Sequence, residues 1–175
     1  DGQLHDFGFV WINAFACAFG VMSQEASARA LGNLEAKRME VFPESGYLGL
    51  PLNLIPIIEA DHMLPRIVKR YRLVPSYENY TDGALSPFHA GYYIRALSLH
   101  GFKKEAGRIA DSLEQGFADG KFHGPCGTGK EFMTWTGADS GYEGTFGLNS
   151  APLYALAVER GVIAPPAPEW WPAAT

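Results

Sequence analysis

The sequence predicts an all-α domain built from αα-hairpins, and three observations support this fold class. Several stretches are apolar on nearly all sides, as expected for helices buried between neighbours. Amphipathic stretches with one charged face follow most of them after short turns. No stretch shows the regular alternation of apolar and polar residues that is typical of half-buried strands. The 175 residues therefore form a single domain, in which each hairpin pairs an inner, buried helix with an outer, amphipathic one.

The clearest hairpin spans residues 86–117. Ser86 is a suitable N-cap, and Pro87 fits the first turn, where its missing N–H costs nothing. Gly101 ends this inner helix, and an amphipathic helix follows over residues 102–117. The apolar face of that outer helix consists of Ala106, Ile109, Ala110, Leu113 and Phe117.

The same apolar and amphipathic patterns predict the other hairpins. Residues 9–19 are apolar throughout, and Ser23 then opens an amphipathic helix. Residues 50–60 are apolar again and are predicted to form a second inner helix, with a basic amphipathic partner over 61–72. Residues 147–160 form a last inner helix without an outer partner. The prediction is therefore three hairpins and a fourth inner helix.

Inner helices that are buried all round need neighbours on both sides. Three and a half hairpins cannot close a ring of such helices, so we expect the chain to be part of a larger domain. The abrupt start at Asp1 also fits a fragment. Alternatively, a second chain or self-association completes the ring.

Composition excludes several classes of partner and site. A net charge of −5 argues against nucleic acid as the main partner. No apolar run reaches the length of a transmembrane helix, so no membrane partner is expected. The five histidines show no metal-binding spacing, and Cys17 and Cys126 are expected to be free thiols. Thr128–Glu131 (TGKE) lacks the spacing of a phosphate-binding loop, and we expect neither a metal nor another cofactor.

Parallel inner helices would bring the loops that enter them to one rim of the domain. These loops are residues 1–8, 40–49, 74–85 and 119–146, and they contain many of the glycines and aromatic residues. Binding sites are commonly built on such loops. One loop mixes acids, an amide and aromatic rings, a composition suited to sugar hydroxyls: Tyr77, Glu78, Asn79, Tyr80 and Asp82. Its other interpretation is a turn at Asp82–Gly83.

Other rim residues each have two interpretations. Trp11, Trp135 and Tyr142 either stack on sugar rings or fill the centre of the helix ring. His89, in the first turn of an inner helix, binds a ligand or makes a structural hydrogen bond. Glu143 is a second site carboxylate or the cap of the helix that follows it.

Several motifs together resemble a known family. These are residues 86–101 (SPFHAGYYIRALSLHG), the helix after them, residues 131–137 (EFMTWTG) and residues 146–149 (FGLN). The chain resembles the C-terminal part of six-hairpin, (α/α)6-toroid glycosidases, close to the processing α-glucosidase I and mannosylglycerate hydrolase group. The resemblance implies an incomplete (α/α)6 barrel and the hydrolysis of a glycosidic bond with inversion.

In this resemblance Glu131 takes the place of the catalytic base. The family's acid normally lies upstream of such hairpins, and this chain has no clear match for it. Asp82 and Glu143 are the other carboxyl groups that we consider for catalysis. The expected function is a glycoside hydrolase with a carbohydrate substrate. The alternatives are a non-catalytic carbohydrate-binding or structural fragment, and a sugar epimerase or polysaccharide lyase that uses histidine or tyrosine on the same fold.

Overall fold

The computed structural model describes residues 6–41, 50–57, 83–124, 127, 129–143 and 146–165, with residues 139–143 and 146–148 described by their backbone. Within these ranges the chain is dominated by helices, which confirms the predicted class at a coarse level. The five helices of the described residues are α1 (Val10–Ala18), α2 (Gln24–Val41), α3 (Pro87–Leu99), α4 (Lys103–Ala118) and α5 (Phe146–Glu159).

The predicted helix starts and ends agree with the local hydrogen bonds. Ser23 caps α2, because its Oγ accepts a hydrogen bond from the Ala26 N–H at 3.2 Å. Pro87 opens α3 directly after Ser86, as predicted, but the Ser86 side chain makes no capping hydrogen bond. The Phe102 N–H bonds to the Leu97 carbonyl at 2.9 Å as the chain turns out of α3 at Gly101, whose φ is +88°. The hairpins α1–α2 and α3–α4 thus follow the sequence prediction.

The helices form two layers around α3. Helix α3 packs against α1 and α5 on its two sides and against α4, while α2 packs on α1. The C-terminal ends of the inner helices α1, α3 and α5 lie together. His100 Nε2–H donates to the Cys17 carbonyl at 3.2 Å, and Ser98 Oγ donates to Glu159 Oε2 at 2.6 Å. The three inner helices therefore run parallel.

The predicted absence of strands is wrong. A four-stranded antiparallel sheet has the order β1–β2–β3–β4, with Leu50 opposite Ser86 and Leu85 opposite Met133. Its strands are β1 (Leu50–Pro51), β2 (Leu85–Ser86), β3 (Lys130–Met133) and β4 (Asp139–Glu143). Strands of two to five residues are too short to show a reliable alternation, which explains the error.

The sheet lies at the N-terminal ends of the inner helices. Strand β2 runs directly into α3, and β4 is followed closely by α5. Phe9, the residue before α1, forms a bridge with Asn53. The segments that enter the three inner helices therefore meet at one end of the described structure, as the sequence predicted for parallel helices.

The prediction of an inner helix over residues 50–60 is also wrong for residues 50–57, the part that the structure describes. Residues 50–57 contain no helix: Leu50–Pro51 is strand β1, the Leu52 N–H bonds to the Ala84 carbonyl at 2.9 Å, and the Leu54 N–H bonds to the Gly8 carbonyl at 3.0 Å. Residues 50–54 are all buried, so a continuous apolar run here reflects burial on both sides of an extended segment. The remaining residues, with the predicted outer helix at 61–72, lie outside the described ranges.

A buried polar network connects the outer helix α2 to α3. Arg38 Nε and Nη2 donate to the two carboxylate oxygens of Glu35 at 2.9 and 2.8 Å. The Tyr93 hydroxyl donates to the same carboxylate at 2.9 Å. Burial raises the pKa of Tyr93 well above its usual value, with Glu35 adding to the effect, so the phenol stays protonated and can donate.

We predict that Tyr93→Phe lowers the free energy of unfolding by about 1–2 kcal/mol, because the buried Glu35 carboxylate loses a hydrogen-bond donor. Tyr154→Phe is the matched control, since Tyr154 is 37% exposed, and it should change stability by less than about 0.5 kcal/mol. Urea unfolding followed by circular dichroism measures both. Equal stability of the two variants would contradict the role assigned to Tyr93.

Close packing of α3 on α5 leads to a second prediction. A Cβ at Gly91 would lie 2.7 Å from the Pro152 Cα, whereas a Cβ at Gly107 in α4 meets nothing within 4 Å. Gly91→Ala should therefore force the two helices apart and cost about 1–3 kcal/mol. Gly107→Ala should gain about 0.5–1 kcal/mol from helix propensity. Equilibrium unfolding in urea tests the pair, and a gain for Gly91→Ala would refute the close contact.

Candidate functional site

Two of the predicted binding residues meet at the N-terminal ends of α1 and α3. The rings of Trp11 and His89, each in the first turn of its helix, have centroids 6.0 Å apart in an edge-on arrangement. Phe15 and Phe88 also contact the His89 ring, with centroids at 5.8 and 5.0 Å. The parallel alignment of the inner helices brings the rings of these two candidate residues together.

The aromatic surroundings determine the charge of His89. Burial lowers its pKa to about 4, because the surrounding rings cannot solvate an imidazolium ion. At neutral pH the ring is therefore uncharged. Its Nδ1 lies 2.8 Å from Ser86 Oγ, so the hydroxyl of the residue before α3 orients the ring. This polar but uncharged arrangement suits hydrogen bonding to a neutral hydroxyl.

The indole of Trp11 contributes a further polar atom to this region. Its Nε1 is buried and has no hydrogen-bond acceptor in the part of the chain that the structure describes. A buried N–H without a partner costs free energy that a ligand oxygen would recover. The indole thus offers both a ring face and a donor near His89.

Strand β3 carries Glu131, the predicted catalytic base. Glu131 is half-buried, and its neighbour Phe132 belongs to a small cluster with Leu52 and Ala84, against which Trp11 packs. The Asn149 side chain in the first turn of α5 donates to the Lys130 carbonyl at 3.4 Å. The contacts of Lys130 and Phe132, the residues on either side of Glu131, therefore hold Glu131 at the same end of the fold as Trp11.

Trp135 lies in the turn between β3 and β4. This turn is closed by the Thr134 N–H, which bonds to the Ala138 carbonyl at 2.9 Å. A Cβ at Gly83 would be 3.5 Å from Trp135 Cε3, so the indole borders the chain just before β2. Gly83 belongs to the loop over residues 74–85, and the part of this loop predicted to bind sugar lies outside the described residues.

The other predicted residues are placed only in part. Tyr142 and Glu143 belong to β4, and the backbone of Glu143 pairs with that of Lys130, next to Glu131. Tyr77, Glu78, Asn79, Tyr80 and Asp82 lie outside the described residues. Their proposed roles stay predictions.

Several site residues were not predicted. Ser86 was expected only to cap α3, yet it orients His89. Phe15 and Tyr92 have ring centroids 4.5 Å apart and extend the aromatic surface from α1 to α3. The sequence could have predicted this aromatic surface from the spacing of Trp11, Phe15 and Phe19. These residues recur every four positions and therefore share one helix face.

The described residues contain no group of three His, Cys, Asp or Glu side chains able to hold a metal ion. None of the described helices is long and apolar enough to cross a membrane. Cys17 is buried, and desolvation raises the pKa of its thiol, which disfavours the nucleophilic thiolate.

Comparisons with protein-family models, curated proteins and solved structures gave no match. The resemblance to six-hairpin glycosidases therefore stays a prediction, and function is inferred from the residues and their geometry.

The lowered pKa of His89 predicts a pH dependence of stability. Between pH 6.5 and about 4 the unfolded chain binds a proton at this residue and the folded chain does not. Acidification over this window should therefore destabilise the fold through His89, by up to about 3 kcal/mol. His89→Gln should remove this contribution, whereas His123→Gln, at an exposed position, should keep the wild-type slope. Urea unfolding at a series of pH values measures the difference, and parallel slopes for His89→Gln and wild type would disprove the assignment.

Proposed function

We propose that this chain is part of an (α/α)-toroid glycoside hydrolase that cleaves its substrate with inversion, with Glu131 as the general base. The observation that carries the proposal is the position of β3. This strand, which bears Glu131, belongs to the sheet at the N-terminal ends of three parallel inner helices, and its Phe132 belongs to the cluster against which Trp11 packs.

The helix ends support a site of this chemistry. The N-terminal ends of α1, α3 and α5 carry partial positive charge, which favours a carboxylate nearby. The aromatic rings provide flat apolar surfaces, and His89 and Trp11 Nε1 provide uncharged hydrogen-bonding groups. Carbohydrates present both apolar ring faces and hydroxyl groups, so the combination suits a sugar.

The exposure of large apolar residues on the inner helices supports the proposal that the ring of helices continues beyond those described. Ile12 and Phe19 near α1 are 47% and 48% exposed, and Leu153 in α5 is 53% exposed. Large apolar side chains on helices of an inner layer are expected to pack against further helices. Additional hairpins or a second copy of the chain would supply them.

In the proposed reaction the Glu131 carboxylate takes a proton from water as the water oxygen attacks the anomeric carbon. The bond from this carbon to the leaving oxygen breaks, and a carboxylic acid protonates that oxygen. Inverting enzymes separate the two carboxyl groups by about 6.5–9.5 Å to leave room for the water. Asp82 and Glu143 are the candidates for the acid within the chain, and the rest of a larger ring is the other source.

Substrate binding is assigned to residues around this base. Trp11 and Trp135 would stack on sugar rings, and neutral His89 would bond to a hydroxyl. The remaining proposed binding residues are Tyr77, Glu78, Asn79, Tyr80 and Tyr142.

A second candidate is a carbohydrate-binding protein without turnover. In the described part of this end, His89 is surrounded by the aromatic rings of Trp11, Phe15 and Phe88. Aromatic stacking and neutral hydrogen bonds are sufficient for binding without chemistry.

We predict that Glu131→Gln lowers hydrolysis by at least about 100-fold, since the loss of a general base typically costs 10²–10⁴-fold. Sugar affinity should change less than about threefold, because the amide keeps the size of the side chain. Glu25→Gln, an exposed change in the first turn of α2, should leave both quantities unchanged.

The assay measures release of reducing sugar from a panel of oligosaccharides, with NMR to identify the anomer formed first and calorimetry to measure binding. Wild-type binding without turnover would reject the hydrolase and support the binding protein. Full activity of Glu131→Gln would remove Glu131 from the mechanism.

A further inference from the structure

The sheet is irregular at the position of Glu131. In the pairing of β3 with β4, Lys130 lies opposite Glu143 and Phe132 lies opposite Ser140. Glu131 is therefore a single residue of β3 that faces two residues of β4, which is the pattern of a β-bulge. Bulges are common next to active sites, because they bend a strand locally and change the direction of its side chains. The bulge coincides with the residue proposed as the general base.

The side chain of Asn149 contacts the two residues that precede Glu131. Asn149 is half-buried in the first turn of α5, and its Nδ2 donates to the Lys130 carbonyl at 3.4 Å. The amide also lies over the backbone of Gly129, where a Cβ would be 2.5 Å from Nδ2. Gly129 has a φ of +93°, so glycine is needed here for the backbone conformation and for the approach of the amide.

Two backbone hydrogen bonds hold the same stretch of β3. The Gly129 N–H bonds to the His123 carbonyl at 2.8 Å, and the Lys130 N–H bonds to the Phe122 carbonyl at 2.9 Å. Phe122 belongs to the main hydrophobic core. The Lys130 carbonyl, which Asn149 holds, belongs to the peptide bond that joins Lys130 to Glu131. Its orientation therefore influences the direction in which β3 presents Glu131.

The Asn149 amide keeps its orientation at a cost in free energy. Its Oδ1 is buried and has no hydrogen-bond donor among the residues that the structure describes. The opposite orientation would place Oδ1 against the Lys130 carbonyl, where two acceptors repel each other. A buried acceptor without a donor is destabilising, and a hydrogen bond of 3.4 Å is weak. The contact therefore adds little net stability, which points to a role in orientation.

We propose that Asn149 is a positioning residue for Glu131, which fixes the backbone at the bulge and so the direction of the Glu131 side chain. The inference rests on the proposed function and deepens it. A general base must lie within about 2.6–3.2 Å of the group whose proton it takes, and a misplacement of about 1 Å can cost roughly 100-fold in rate. The effect on the backbone does not depend on turnover.

The first test changes the Asn149 side chain and measures hydrolysis of the substrate found in the oligosaccharide panel. Asn149→Asp keeps the size of the side chain but replaces its donor by an acceptor. It should lower kcat at least about tenfold and change KM less than about twofold, since substrate binding is retained. Asn149→Gln keeps an amide donor and should recover part of the loss. The melting temperatures should stay within about 2 °C of wild type.

A pair of glycines provides a matched control. Gly129→Ala places a Cβ where the Asn149 amide lies and should lower kcat as Asn149→Asp does. Gly127→Ala introduces a Cβ at a similar φ of +69°, but nothing lies within 4 Å of it, so kcat should be unchanged. In a Glu131→Gln background Asn149→Asp should cause no further loss, because the group that it positions is gone.

Hydrogen exchange tests the position of the strand without an activity assay. Asn149→Asp should speed exchange of the β3 amides at least about tenfold relative to those of α3, because the strand opens locally. Tyr93→Phe, which weakens the contact between α2 and α3, should not raise this ratio. If wild type binds sugar without turnover, the hydrolase proposal fails and the exchange ratio alone decides the role of Asn149.

Several results would overturn the role of Asn149. These are an unchanged exchange ratio in Asn149→Asp, wild-type kcat in the same variant, and an equal loss of kcat in Gly127→Ala and Gly129→Ala. A further loss in the Glu131→Gln background would also reject it, since Asn149 would then act independently of Glu131.

Discussion

Much of the described fold depends on the burial of α3 between its neighbours. Helix α3 contacts α1, α4 and α5, and Tyr93 bonds to the buried Glu35–Arg38 pair of α2. The contact of Gly91 with the backbone of Pro152 allows α5 to approach closely. A buried ion pair contributes little net stability by itself, but the loss of one partner is costly. The network therefore fixes one arrangement of α2 on α3, and apolar packing supplies most of the stability.

The parallel alignment of the inner helices has a direct consequence for the site. Because α1, α3 and α5 start at the same end, their first turns and the segments before them converge there. The small sheet satisfies the backbone groups of these segments and links residues 50–54 to β2 and β3. Residues that are distant in the sequence, such as Trp11, His89 and Glu131, thus belong to one end of the fold.

The described surface has an uncharged aromatic region and regions that carry charge. Near His89 the aromatic rings exclude charge, and the low pKa of this residue is the electrostatic result. In a cleft between α3 and α5, by contrast, Arg95 adds a cation to a similar set of rings. The outer surface carries its charges in exposed pairs, such as Arg160 with Asp111 and Glu114, which stabilise the fold weakly because water screens them.

The sequence by itself determined the two hairpins α1–α2 and α3–α4 and the last inner helix, because caps, glycine stops and helical periodicity are local signals. It also predicted that the segments entering the inner helices meet at one end of the domain. Only the tertiary structure decided that residues 50–57 are not helical, since a short apolar run is compatible with either a buried helix or a buried strand. The network of Tyr93 with Glu35 and Arg38, and the close approach of α3 and α5 at Gly91, likewise depend on contacts between different helices. Local periodicity contains no information about such contacts.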